Sequence, residues 1–213
     1  MNNKKKRIVM SILGVIGCGI SVGFFKKAAF GVDPFQSFMS GLDQVVPISF
    51  GLLYIIVNTV LLLLSIIFDK KRIGIATLVN LFLLGYIVEY SHKFLNIVFP
   101  ELSVFGRALL LLFAIIAMCF SSAFYFTANL GVSTYDAVSL IFSEKYKKIP
   151  FRVWRIGSDF ICILIGIILF VLSGNRWADL GKMIGIGTII TAFLMGPLIQ
   201  FFNEKIAEPY LNK

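Results

Sequence analysis

The chain has 213 residues, of which 58% are hydrophobic, 22 are Phe and only 15% are charged, and its mean hydropathy is +0.91. A soluble domain of this length has no core large enough to hide that much apolar surface, so the composition excludes a water-soluble globule and places the chain in a bilayer. The net charge of +9 does not point to a nucleic acid, because Lys and Arg gather at the ends of apolar runs instead of along one face.

Crossing about 30 Å of hydrocarbon takes about 20 helical residues. Six runs qualify: 8–28, 50–68, 73–93, 104–127, 151–173 and 181–203. The first follows Lys4-Lys5-Lys6-Arg7 as a signal peptide would, but no small-residue cleavage site precedes Lys26-Lys27, which predicts a retained helix that starts in the cytoplasm. Segments 33–46 and 133–145 are too short to span and too apolar for solvated loops, so each reads as a half-helix dipping into the membrane. The alternative, in which both cross fully, makes eight spans and sends Lys70-Lys71-Arg72 outside.

With six spans, both termini are cytoplasmic, together with Lys70-Lys71-Arg72, Lys145, Lys147, Lys148, Arg152, Lys205 and Lys213. The outer side keeps a sparser set: Lys26, Lys27, Lys93, Arg107, Arg176 and Lys182.

The sequence nearly says the same thing twice. Phe30-Gly31-Val32-Asp33-Pro34-Phe35-Gln36 corresponds to Leu130-Gly131-Val132-Ser133-Thr134-Tyr135-Asp136, each a Gly turn followed by a polar helix start. Ser21 and Phe24 match Ser121 and Phe124, and after a one-residue insertion Phe50 and Asn58 match Phe151 and Asp159. Further on, Ile73-Gly74-Ile75-Ala76-Thr77 reads against Ile184-Gly185-Ile186-Gly187-Thr188, then Asn80 against Thr191, Gly85 against Gly196 and Glu89 against Gln200. A unit with three spans must insert its second copy upside down. The expected fold is therefore all-α and polytopic, six transmembrane helices plus two half-helices, in a 3+3 inverted-topology repeat with units 1–96 and 104–205.

Asp33 with Pro34 and Gln36, and Ser133 with Asp136, have the pattern of capping boxes. Capping alone explains them, since amides at a helix start in the membrane must be satisfied. Two half-helices entering from opposite faces would also aim their partly positive ends at one central cavity, a place for a ligand oxygen. The negative charge of Asp33 and Asp136 argues against a simple anion there and favours a zwitterion, a neutral polar solute or a cation-coupled substrate.

Asp159 lies about 12 Å into its helix, where an unpaired carboxylate costs about 2.5–3.5 kcal/mol. Arg155, one turn earlier, is its natural ion-pair partner; if that pair is open, Asp159 becomes a proton or cation carrier. Asn58 sits at matching depth from the other side, while Asn80, Thr77, Thr188 and Thr191 lie near the midplane, placed either to contact a solute or to bond between helices. The candidate solute-binding set is thus Asp33, Gln36, Asn58, Asn80, Ser133, Thr134, Asp136 and Thr191, with Asp159 and Arg155 for ion coupling. Glu89 and Gln200 read as interfacial, and Gly14, Gly17, Gly19, Ser21 and Gly23 as a close-packing stripe.

Cys18, Cys119 and Cys162 fall inside spans without metal-ligand spacing, and His92 sits near an outer helix end. No H-E-x-x-H, G-x-S-x-G or P-loop is present, so nothing specific supports an enzyme, a metal or a cofactor.

The stretches GVDPFQSFMSGL, PISFG and GIATLVNLFLLG resemble bacterial membrane proteins of the YczE/YyaS/YitT type, which show a Gly-x-x-Pro turn, an Ile-x-x-Gly helix start and a Gly-x-Gly-Thr-x-x-Asn segment. Here Gly31, Asp33, Pro34 and Phe35 form the turn, Ile48 and Gly51 the helix start, and Gly74, Thr77 and Asn80 the third element. The second half departs, with Thr134 in place of the proline and Arg152 in place of Gly51. The resemblance implies an integral protein of the bacterial cytoplasmic membrane and names no substrate. The residues favour a small secondary transporter of a small polar solute, with the bilayer as its surroundings and self-association open. The rival readings are a scaffold binding a partner protein or lipid, and a channel.

Overall fold

The computed structural model describes residues 3–68, 73–149 and 151–212. Lys70, Lys71, Arg72, Lys213 and the side chain of Arg152, on which part of the charge argument rests, lie outside the described residues. The described chain is helical throughout. In order it forms α1 (Asn3–Ala28), α2 (Pro34–Val45), α3 (Phe50–Phe68), α4 (Ile75–Val98), α5 (Val104–Ala128), α6 (Thr134–Lys145), α7 (Phe151–Leu172), α8 (Leu180–Met183), α9 (Ile186–Phe202) and α10 (Glu208–Asn212). Six segments are long and apolar enough to cross a membrane: α1, α3, α4, α5, α7 and the stretch Trp177–Asn212 built around α9. The protein is a multi-pass membrane protein.

The last span is less regular than its hydropathy suggests. It begins with a 3-10 turn and the short α8, contains Pro197 within α9, and passes through a π-helical turn at Asn203–Ala207 before α10. Proline removes a ladder hydrogen bond, and the π turn separately shifts the hydrogen-bond register by one residue.

α2 and α6, with 12 residues each, are about 18 Å long, well short of the hydrocarbon thickness. Pro34 at the first helical position fixes φ where no N–H is needed. Pro47 lies just beyond the C-cap at Val46, biasing the chain away from further helix.

α1 and α5 form the centre and make the most extensive helix contact in the molecule. They run antiparallel, because the start of each meets the end of the other: Arg7 donates to the Ala128 carbonyl at 3.0 Å, while Arg107 donates to the carbonyls of Ala28 at 2.7 Å and Ala29 at 2.6 Å. Each arginine satisfies helix-end carbonyls that have no partner in their own helix. The glycine stripe of α1 allows this approach: a Cβ at Gly14 would sit 2.8 Å from the Ser121 carbonyl oxygen of α5, and one at Gly19 would sit 2.7 Å from Ile87 of α4. Arg107→Ala orphans two carbonyls at once and is expected to destabilise the fold by about 2 kcal/mol, read as a drop in the thermal unfolding midpoint of the detergent-solubilised protein.

Glu89 also ties two helices together. Its carboxylate accepts the Gly51 amide at 3.0 Å, tying α4 to the start of α3, and pairs with Lys93 at 2.7 Å.

Candidate functional site

Both half-helices begin with a side-chain cap. Asp33 Oδ1 accepts the Gln36 amide at 3.1 Å, and Ser133 Oγ accepts the Asp136 amide at 3.1 Å. The reciprocal part of a capping box forms in neither: Gln36 Oε1 is without a partner, and Asp136 Oδ2 accepts from the Ser133 hydroxyl at 2.6 Å. Before each cap the chain turns through a glycine with positive φ, +98° at Gly31 and +117° at Gly131. Those turns seat on helices from the opposite half. The Phe30 carbonyl accepts the Gly187 amide at 2.7 Å, and the Leu130 carbonyl accepts the Ala76 amide at 3.0 Å. Thr77 completes one seating by donating to the Val132 carbonyl at 2.7 Å.

The seatings bring the two half-helix starts together. Asp33, Gln36, Ser133 and Asp136 line one inner cavity of about 140 Å³, with Asn58, Asn80 and Arg155. Two buried polar groups on its wall have no hydrogen-bond partner: Gln36 Oε1 and Tyr125 Oη, on residues each 4% exposed. Such groups are costly unless something supplies the missing bond.

Around the cavity the other polar groups are paired. Tyr54 Oη donates to Asn80 Oδ1 at 3.3 Å, Asn58 Nδ2 donates to the Tyr54 carbonyl at 2.8 Å, and Thr134 Oγ1 donates to Asn58 Oδ1. Thr134 therefore orients Asn58 and does not face the cavity. Arg155 bridges two carboxylates, contacting Asp136 directly and Asp159 at 3.2 Å, and its guanidinium lies 4.4 Å from the Tyr135 ring centre. The pair expected within α7 is thus closed and extends to α6. Tyr135 Oη also donates to Asp159 at 2.7 Å, and its ring stacks on Phe35 at 4.8 Å, joining the two half-helices. Among the described residues, Asp33 has no cation within ion-pair distance.

The inner cavity continues into a larger cleft of about 580 Å³, which shares Asp33, Asp136 and Arg155 and adds Asp159 and Thr191. Thr191 spends its proton on the Thr188 carbonyl at 2.9 Å. A separate cavity of about 480 Å³, lined by Lys26, His92, Arg176 and Lys182 among others, has no lining residue in common with the inner one. Val32 and Met183, joined by an amide–carbonyl bond of 3.1 Å, line this basic cavity.

All ten sequence-derived candidates thus fall in one region, nine on cavity or cleft walls and Thr134 behind Asn58. Sequence reasoning missed Tyr54, Tyr125 and Tyr135, which line the inner cavity beside Phe35. Tyr135 directly follows the α6 cap and was legible as the partner of Phe35; the other two are lone aromatics in apolar spans and carry no local signal.

A family described as "Family of unknown function (DUF6198)" matches residues 5–204. The chain belongs to this family. It is also similar to the uncharacterized membrane protein YczE of Bacillus subtilis, 25% identical over 188 residues covering 88% of this chain and 80% of YczE. The uncharacterized protein YyaS of the same organism is 20% identical over 207 residues, 94% of each chain. An uncharacterized protein of Haemophilus influenzae is 26% identical over 138 residues, 65% of this chain, and the match spans just over half of that relative, 56%. No solved structure matches this chain. The glycine turn at Gly31 and the Gly74–Asn80 segment, which carry the YczE/YyaS resemblance, are the elements that seat the half-helices.

Proposed function

We propose that this protein is a small secondary carrier, not an enzyme, moving a small polar solute across the bacterial cytoplasmic membrane with both termini in the cytoplasm. Residues 1–96 and 104–205 are inverted-topology copies whose half-helix starts build the solute site. The observation that carries this reading is the shared cavity: starts about a hundred residues apart converge on one space with buried, unsatisfied polar atoms on its wall. The antiparallel α1 and α5 with their exchanged arginines, and the two reciprocal turn-on-helix seatings, support the inverted relation. The cavity shares Asp33, Asp136 and Arg155 with the larger cleft and no lining residue with the basic cavity, so in this conformation it is continuous with the cleft alone.

Asp33, Gln36, Asn58, Asn80, Ser133 and Asp136 contact the solute, Thr134 holds Asn58, and Thr191 lines the path. Arg155 occupies Asp159 in this conformation, so ion coupling at Asp159 proceeds through opening of that pair during the cycle.

Purified protein in liposomes loaded with mixed polar solutes tests the reading through counterflow. A carrier exchanges internal for external solute, and Asp159→Asn keeps exchange while losing accumulation driven by an ion gradient. Flux without exchange would mean a channel. A folded protein with no solute-dependent flux in any pool would mean a scaffold.

A further inference from the structure

We infer that the solute is an amphiphilic amine, its ammonium group against Asp33 and Gln36 and its hydrocarbon in the cleft between α7 and α9. The inference rests on the carrier reading and names the substrate class of the same site.

The cavity wall keeps unused acceptors beside the amide donors of Gln36 and Asn80. Tyr54, Thr134, Tyr135 and Ser133 have given their protons to Asn80, Asn58, Asp159 and Asp136. Arg155 is spent on Asp136 and Asp159. Among the described residues the acceptors left over are Gln36 Oε1, buried and unpartnered, and the Asp33 carboxylate, which has no cation within ion-pair distance, while the Tyr125 hydroxyl can donate or accept. An ammonium group has three donors and no acceptor, which complements such a wall; a carboxylate or phosphate has the reverse.

Charge points the same way. Among the described residues three carboxylates, Asp33, Asp136 and Asp159, line the cleft with one guanidinium, that of Arg155. A bare metal ion is a poorer fit, because among the described residues no three His, Cys, Asp or Glu side chains converge as ligands. Phe35, Tyr54 and Tyr135 put aromatic surface on the wall, which organic cations favour.

The second part of the molecule is read from the cleft. Beyond the charged end its walls are Leu140, Phe151, Ala192, Met195, Gly196 and Ile199. Ala192 and Gly196 are exposed and lie midway along a spanning helix, so the mouth opens at hydrocarbon depth. The matching place in the first half is shut: Gly85 is buried against Tyr54 and the Gly51 backbone, whereas a Cβ at Gly196 would meet nothing within 4 Å. Among the described residues α7 and α9 make at most marginal contact, while α3 and α4 are closely packed. A solute arriving from water has no use for an entrance lined with hydrocarbon. One dissolved in the bilayer does.

The test uses the full chain in lipid nanodiscs and measures binding of n-alkylammonium ions from methyl to octyl, with alkyl sulfates of equal length as controls and empty discs subtracted. Affinity for the amines is expected to rise about fourfold per methylene, with no saturable binding of the sulfates. Asp33→Asn removes amine binding. Gly196→Leu, which leaves the cap untouched, flattens the chain-length dependence while sparing methylammonium, and this separates a filled cleft from a misfolded protein. Methylammonium bound as tightly as octylammonium, or exchange of another polar solute with no amine binding, would overturn the inference and leave the carrier intact. Octylammonium lost from a second copy of the chain closing the mouth, seen as a dimer in the discs, would also overturn it. Absence of counterflow for every solute would instead remove the carrier reading itself.

Discussion

Gly131→Ala is expected to be among the most damaging single substitutions in this protein, at about 4 kcal/mol. The residue sits at φ +117°, and an added Cβ would lie 2.6 Å from Thr77 Oγ1 and 2.7 Å from the Gly74 amide nitrogen. Backbone strain at such an angle costs roughly 1–3 kcal/mol, and forcing a methyl group into a closed contact costs roughly another 1–3. The neighbours cannot yield cheaply, because the Gly74 backbone is itself part of the seating that accepts the turn. For a protein of this size the unfolding midpoint should fall by roughly 10 °C. Gly157→Ala is the control: nothing lies within 4 Å of its Cβ position in α7, so the change should be neutral or stabilising by up to about 1 kcal/mol. Equal loss at both positions would show that the α6 turn is not held by the α4 helix start.

Arg155→Met should cost about 3 kcal/mol. The substitution keeps most of the apolar stem but leaves Asp136 and Asp159, each 22% exposed at the side chain, facing one another without a cation. Breaking a buried pair costs roughly 3–5 kcal/mol when the remaining charge has no partner, and partial exposure places this site at the lower end. Adding Asp136→Asn and Asp159→Asn to the same chain should recover most of the loss, because no unpaired charge then remains. Chemical denaturation of the single and triple variants decides the matter. A triple variant as unstable as the single one would mean that Arg155 acts by its bulk against Tyr135 and not by its charge.

The spans and both half-helices were legible because their signals are local. A run of apolar residues long enough to cross a bilayer is a property of one segment, and the starts of α2 and α6 are set by local caps, with Pro47 following the end of α2. The positive φ angles at Gly31 and Gly131 were likewise announced by their residue type and by the polar residue two places on. The irregular end of the last span was less visible, since Pro197 alone does not say whether a helix kinks or shifts register through a π turn.

The chemistry of the site divides along the same line. The sequence by itself determined a membrane protein with two short, capped segments between its spans, because hydropathy, capping and glycine turns act over a few residues. Only the tertiary structure decided that Arg155 reaches Asp136 as well as Asp159, that Tyr54 and Tyr125 complete the cavity wall, and that α7 stands away from α9 while α3 closes on α4. Those outcomes depend on which helices become neighbours across gaps of up to a hundred residues, and pairing between distant surfaces leaves no periodic or local mark in the chain.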